Sequence, residues 1–297
     1  MRPGKSAGSS GPIDRLANNV RPMNDVAPPP RDRRPTFDRQ AETPRASERA
    51  RGTGVYRRRV IVSHLGNRTW GELEDDFHHF RVDITSKNGA VVSVDGSGVR
   101  SPWTQCLTAG TPLQALVGTL LRTGPLALRE LNARKNCTHM FDLAGLVVTH
   151  AARGLAVERI YDMAVDDPDA GTGERYVRLW RDGELVLEWR LRERQLLGPP
   201  EWLAAPLWAG FIEWSGTHLD DETAEAAVAL RRACDISRGR DGDLDKMERA
   251  DELLDVMSGI CHAFQPEIAP LAIRHKGSSR DFTDHPALLL ADFDERP

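Results

Sequence analysis

The stretch Phe77-His78-His79-Phe80-Arg81-Val82-Asp83-Ile84, followed by Lys87-Asn88-Gly89 and then Ala90-Val91-Val92-Ser93-Val94, decides the fold class. Its first part alternates with period two, as a half-buried strand does. Asn-Gly between two such runs supplies the two positive φ angles of a type I′ turn, which makes the pair an antiparallel hairpin. Asp76, His78, Phe80, Val82 and Ile84 project to one face, and their apolar members assign that face to the core. His78 is thereby expected to point inward with Asp76 beside it, and His79 to face solvent.

Working outward, Val55 to Ser63 reads as a strand, and Thr69 to Asp76 extends or pairs with it. Further strands are expected at Val157–Asp166, Arg175–Arg181 and Leu185–Leu191, the last two joined by Asp182-Gly183, a second hairpin signal. Helical spacing is read at Thr111–Leu121, Leu126–Arg134, Leu203–Trp214, Asp221–Ser237 and Asp243–Phe264. The most apolar helix runs from Cys137 to Arg153 and is closed by Gly154, with Asn136 as the expected N-cap. The expectation is an α+β fold: an antiparallel sheet of about six strands covered by this central helix, with C-terminal helices and a disordered N-terminal tail. Residues 1–53 form the tail, 54–265 the α+β domain and 266–297 an irregular, docked tail.

Charge and composition narrow the function. Residues 1–53 contain eight of the nineteen prolines and eleven Lys/Arg against six Asp/Glu, a composition that does not bury a core. The net charge of -4 therefore places +5 on the tail and -9 on the rest, and an acidic body argues against nucleic acid. No apolar run has the roughly 18 residues of a membrane span. Four scattered cysteines (Cys106, Cys137, Cys234 and Cys261) without a CxxC fit reduced thiols in a cytoplasm. Walker A, GxGxxG, GxSxG and HExxH motifs are missing, so nucleotide-dependent and hydride-transfer chemistry are not expected. A homodimer is left open.

The candidate site residues are spread over three segments. Cys137 and His139 at the start of the central helix pair a thiol with an imidazole, where the helix dipole favours a thiolate. The bland counterpart is a small buried hydrophobe beside a hydrogen-bonding histidine. His78 with Asp76 reads as a base and its orienting acid, or as groups satisfying backbone at a strand start. Arg100 and Trp103 are read as substrate-holding residues and Cys106 as a neighbour of the same pocket. His150, near the helix end, reads as a satisfied core histidine. Cys106, Cys137, His139 and His78 are the donor set for zinc or iron if a metal is used, with ligands far apart in sequence for such a site.

Three runs carry a resemblance: Leu73-Glu74-Asp75-Asp76-Phe77-His78-His79-Phe80, Arg100-Ser101-Pro102-Trp103-Thr104-Gln105-Cys106, and Asn136-Cys137-Thr138-His139-Met140-Phe141-Asp142-Leu143-Ala144. Together they resemble the bacterial family catalogued as domain of unknown function 2889, over about residues 55–240 and including Ser237-Arg238-Gly239-Arg240. Leu107 departs from the pattern, where many members place proline. The resemblance implies a setting in the catabolism of aromatic or steroid-like compounds and no established reaction. The residues themselves favour a cofactor-independent lyase or isomerase acting on a small, mostly apolar substrate. Two readings compete with it: a Zn- or Fe-dependent lyase or hydrolase, and a non-catalytic accessory protein whose Trp-rich C-terminal helices dock a partner.

Overall fold

A computed structural model describes residue 49, residues 52–291 and residue 293. The expected disorder of residues 1–53 falls almost entirely outside these described residues. The fold is α+β, built on one antiparallel sheet of eight strands: β1 (Val55–Leu65), β2 (Arg68–Asp75), β3 (His79–Lys87), β4 (Ala90–Arg100), β5 (Arg159–Asp166), β6 (Glu174–Arg181), β7 (Glu184–Arg192) and β8 (Gln195–Gly198). Their order is β4-β3-β2-β1-β5-β6-β7-β8, so two four-stranded meanders meet where β1 pairs with β5. Two hairpins are turned as expected, with φ of 52° and 75° at Asn88 and Gly89 and of 54° and 92° at Asp182 and Gly183.

The count of about six strands is corrected to eight. Of the two readings of Thr69–Asp76, pairing holds: Arg68–Asp75 is a separate strand, antiparallel to β1. β8 was missed because it is four residues long and its turn, with Glu193 at φ 51°, carries no glycine or asparagine. Several expected helices are also corrected. Thr111–Leu116 is two turns of 3-10 helix and Ala133–Lys135 a single one, and Asp243–Phe264 breaks into short turns around α4 (Leu254–Met257). The Trp-rich helix lies later than expected, at α2 (Phe211–His218), beyond Pro206 and Gly210.

α1 (Thr138–Arg153) lies across β1, β2 and β3, and α3 (Asp221–Ile236) across β5, β6 and β7. Met140, Leu143, Ala144, Val147 and Val148 of α1 are fully buried. Each large one contributes about 1.5–3 kcal/mol by leaving water. The close approach is set at Gly71: a Cβ there would meet Leu143 Cδ1 at 3.1 Å and Val147 Cγ2 at 3.0 Å. A side chain at this point would force its neighbours to give by a few tenths of an ångström. α1 begins one residue later than expected. Cys137 is the N-cap residue and makes no capping bond, while Asn136 donates from Nδ2 to the Asn132 carbonyl at 2.9 Å.

The opposite face of the sheet is covered by the C-terminal segment. Arg280 N–H donates to the Asp76 carbonyl at 2.7 Å, and Leu290 N–H donates to Glu74 Oε2 at 2.9 Å. Arg59 joins Asp162 at 2.7 Å and also reaches the Leu289 carbonyl at 3.3 Å. Residues 280–290 thus lie over charged side chains that would otherwise face water.

Candidate functional site

The site forms where β2 ends. Asp75 is the last residue of that strand, and its own carboxylate shapes the reversal into β3. Oδ1 accepts the backbone N–H groups of Phe77 and His78, each at 2.8 Å, in the manner of an Asx turn. The same oxygen meets His78 Nδ1 at 3.0 Å. Oδ2 accepts Tyr56 Oη at 2.8 Å and Arg58 Nη2 at 2.6 Å and Nε at 3.1 Å. Period-two alternation along β1 puts Tyr56 and Arg58 on the helix-covered face, and the register sets Arg58 opposite Asp75.

His139, in the first turn of α1, stacks on His78 with ring centroids 3.6 Å apart and planes inclined by 25°. Phe80 stacks against both rings. Cys137 Sγ lies 3.9 Å from His139 Nδ1, and His139 Nε2 has no hydrogen-bond partner. Both imidazoles are 7% exposed.

Electrostatics follows from this packing. Burial works against the Asp75 carboxylate, but the neighbouring His78 and Arg58 charges and the hydrogen bonds hold its pKa well below the ordinary 3.8. Burial lowers His78 below 6.5 despite Asp75. Burial, with the charges of His78 and Arg58 adding to it, holds His139 well below 6.5. At neutral pH the site is one carboxylate, one guanidinium and two uncharged imidazoles. Asp75 fixes the proton of His78 on Nδ1 and leaves Nε2 with its lone pair.

Four expectations about the site need correction. Asp76 does not orient His78: the strand ends at Asp75, and Asp76 turns away to pair with Arg240 at 2.6 Å. His79 does not face solvent: it is 4% exposed and bonded through Nε2 to Glu72 Oε2 at 2.8 Å, beneath the C-terminal segment. Cys137 is not placed to be a thiolate: burial pushes its thiol up to about 12. His150 is buried, but its Nε2 has no hydrogen-bond partner.

The expected substrate-holding residues lie elsewhere. Arg100 Nη1 and Nη2 bond the carbonyls of Asp75, Asp76, His78 and Ser278, so this side chain clamps the β2–β3 turn from the far face. Trp103 is 3% exposed and packs edge-on against Phe264 and beneath Arg274. Cys106 is buried in the core. The structure therefore brings His78, His139 and Cys137 together and adds Asp75, Arg58 and Tyr56. The pattern Asp75-x-x-His78 held a signal for the first addition, because an aspartate three residues ahead is placed to close an Asx turn.

Asp75, His78 and His139 each offer one atom able to bind a metal, all within 4.8 Å of one another. Among the described residues no other His/Cys/Asp/Glu group is so arranged, and the set Cys106, Cys137, His139 and His78 is not. Both Asp75 oxygens are already engaged by donors, one of them the buried Arg58 cation. The donors as arranged suit hydrogen bonding better than metal ligation.

A pocket of about 90 Å³ adjoins the cluster between α1 and α3. Its wall is mostly apolar, with Leu73, Leu128, Phe141 and Met163, and it includes the Arg58 side chain. On the other face of the sheet, a cleft of about 400 Å³ is lined by His79, Arg100, His275 and Phe282. No family model matches the chain, and no curated protein matches it. None of the described helices is long and apolar enough to cross a membrane.

Proposed function

We propose that this protein is a cofactor-independent lyase or isomerase that moves a proton on a small, mostly apolar substrate. The observation that carries the reading is the Asp75–His78 bond at 3.0 Å with His139 stacked on it at 3.6 Å. His78 Nε2 takes a proton from carbon beside a carbonyl, and the electron pair passes into an enolate. Arg58 stabilises the developing negative charge in a site with little water. The Cys137 thiol faces His139 Nδ1, which favours the tautomer with its proton on Nε2. His78, now an imidazolium, returns the proton it took to a second carbon or to the leaving group, while the His139 N–H bonds the enolate oxygen and keeps its proton. Asp75 holds His78 in position and does not itself transfer a proton.

The resemblance to domain of unknown function 2889 supports a bacterial, catabolic setting, with aromatic or steroid-like compounds as the substrates to try first, and the free cysteines support a cytoplasm. A panel of such compounds incubated in deuterium oxide tests the reading by the loss of C–H signals in proton NMR. We expect exchange or conversion with the wild type and a loss of about 10²–10⁴-fold with His78→Asn. Exchange that survives His78→Asn sinks the assignment.

A second reading, a zinc- or iron-dependent lyase or hydrolase, is favoured by the three ligand atoms within 4.8 Å. It shifts the expected metal from the cysteines to Asp75, His78 and His139. About one equivalent of metal on purified protein, lost with His139→Ala, would promote it over the first.

A further inference from the structure

The pocket beside Arg58 is polar at two separated points. Asp142 and Thr149 both line it, seven residues apart on α1, so it follows about 10 Å of helix. Arg58 pairs with Met163 across the sheet, and two residues further along Val60 pairs with Tyr161. The Tyr161 hydroxyl bonds Glu225 of α3, which also lines the pocket. Arg58 and Asp142 therefore mark one end, and Glu225 and Thr149 the other.

Glu225 is 5% exposed and its two oxygens are used unequally. Oε1 accepts both the Tyr161 hydroxyl and Arg153 Nη1, the latter at 3.1 Å. Oε2 is buried with no hydrogen-bond partner. Leaving such an oxygen without a donor costs about 1–3 kcal/mol, more if it is charged. Leu146, Ile212, Val228 and Ala229 of the wall carry no donor, and neither Thr149, which also lines the pocket, nor Arg153, which bonds Oε1, bonds this oxygen.

We infer that the ligand of this pocket is a small, mostly apolar molecule with an oxygen function near Arg58 and a hydroxyl group at the far end, bonded by Glu225 Oε2. A hydroxyl suits the position because it both donates and accepts. It serves an ionised carboxylate as donor and a protonated one as acceptor, so burial, which raises the Glu225 pKa, does not change the requirement. An amine or an apolar tail would suit only one of those states or neither. The inference deepens the proposed function and rests on reading this pocket as the substrate's.

The probes are 4-hydroxybenzoate and 4-methylbenzoate, rigid molecules of the same shape that differ only in the hydroxyl. Calorimetric titration of the full chain should show the hydroxyl compound binding about tenfold more tightly, the worth of one buried hydrogen bond. Glu225→Leu removes both oxygens and should abolish the preference, whereas Glu225→Gln, whose amide can still donate to a hydroxyl, should keep part of it. Equal binding of the two probes by the wild type, no binding of either at millimolar concentration, or an undiminished preference in Glu225→Leu would each overturn the inference. The readout is binding alone, so it separates from the chemistry. A hydroxyl preference without any turnover leaves this inference standing and removes the acid–base reading. Turnover that depends on His78 but ignores the hydroxyl does the reverse.

Discussion

His78 and His79 are neighbours in sequence, both under 10% exposed, yet they belong to opposite faces of one sheet. His79 is closed in by carboxylates, with Glu72 at 2.8 Å from Nε2 and Glu74 at 3.9 Å from Nδ1, and the C-terminal segment lies over it. His78 has one nitrogen on Asp75, and its ring lies flat against a second histidine whose Nε2 has no partner. Burial does not tell the two residues apart; the inventory of partners does. On the far face, carboxylates answer the imidazole and hold the strands together. On the helix-covered face polar capacity is left over, as a reacting group requires.

The largest effect should come from removing the acid on the helix-covered face. Asp75→Ala strands the Arg58 guanidinium in the core, where the pair's side chains are 2% and 0% exposed. Loss of one partner of such a pair costs about 3–5 kcal/mol, and the turn loses its two side-chain-to-backbone bonds as well. Glu72→Gln on the far face keeps an acceptor for His79 and should cost about 1–2 kcal/mol. Urea denaturation of both variants checks the ranking, and equal losses would break the contrast between the faces.

The adjacent histidines give the next test. His78→Asn should reduce proton-transfer activity by about 10²–10⁴-fold while changing stability little. His79→Asn should do the opposite, lowering the urea midpoint by the worth of a charge-assisted bond, about 1.5–3 kcal/mol, with near-normal turnover. If both variants lose activity alike, the two faces are not functionally distinct.

Acidity separates the two aspartates of the turn in the same way. Burial, opposed by Arg240 and reinforced by Asp75 and Asp281, raises Asp76 to about 7. A carboxyl whose folded pKa lies above its unfolded value of 3.8 binds more protons in the folded state. It therefore makes stability fall as pH rises from about 4 to 7, by up to about 1.4 kcal/mol per pH unit. His139, held below 6.5, acts with the opposite sign: its contribution is present above pH 6.5 and is lost as pH falls below that value. Urea midpoints between pH 4 and 7 should then rise more steeply with pH in Asp76→Asn than in the wild type, and less steeply in His139→Gln. An unchanged slope in Asp76→Asn would show that Asp76 is ionised throughout and simply paired with Arg240.

Much of the sheet was legible because its signals are local. Asn88-Gly89 and Asp182-Gly183 announce their own φ angles, and period-two runs flank both. The helices at 111–121, 126–134 and 243–264 were misread because apolar spacing over two turns does not require a continuous helix. Gly118, Gly124-Pro125 and Gly259 interrupt those segments, and the chain buries the same side chains with 3-10 turns. The site was legible in part for a related reason. His139 and Cys137 start the one strongly apolar helix, and His78 sits in the strongest hairpin. The identity of its acid was not legible, because alternation was carried past the end of β2. The strand stops at Asp75, and from there the turn, not the pleat, decides where each side chain points. Arg58 and Tyr56 depend on a pairing across the sheet that no local pattern encodes.

The smallest expected effect falls on the residue that the sequence made most conspicuous. Cys137 stands at the start of α1, where a helix dipole favours a thiolate, but burial outweighs that field and leaves the thiol at about 12. At pH 7 about one part in 10⁵ is then ionised. Reaction with an aromatic disulfide reagent should be slow in the native protein and fast only after unfolding. Cys137→Ala should cost about 1 kcal/mol of stability and no more than a few-fold in rate, through weaker positioning of His139. The same substitution tests the comparison at its narrowest point. If it lowers the rate as severely as His78→Asn does, the sulfur is a reacting group and the catalytic side of the sheet extends from the turn into the helix. If the rate holds, Cys137 does for His139 what Asp75 does for His78, by a much weaker bond, and the chemistry stays with the two imidazoles.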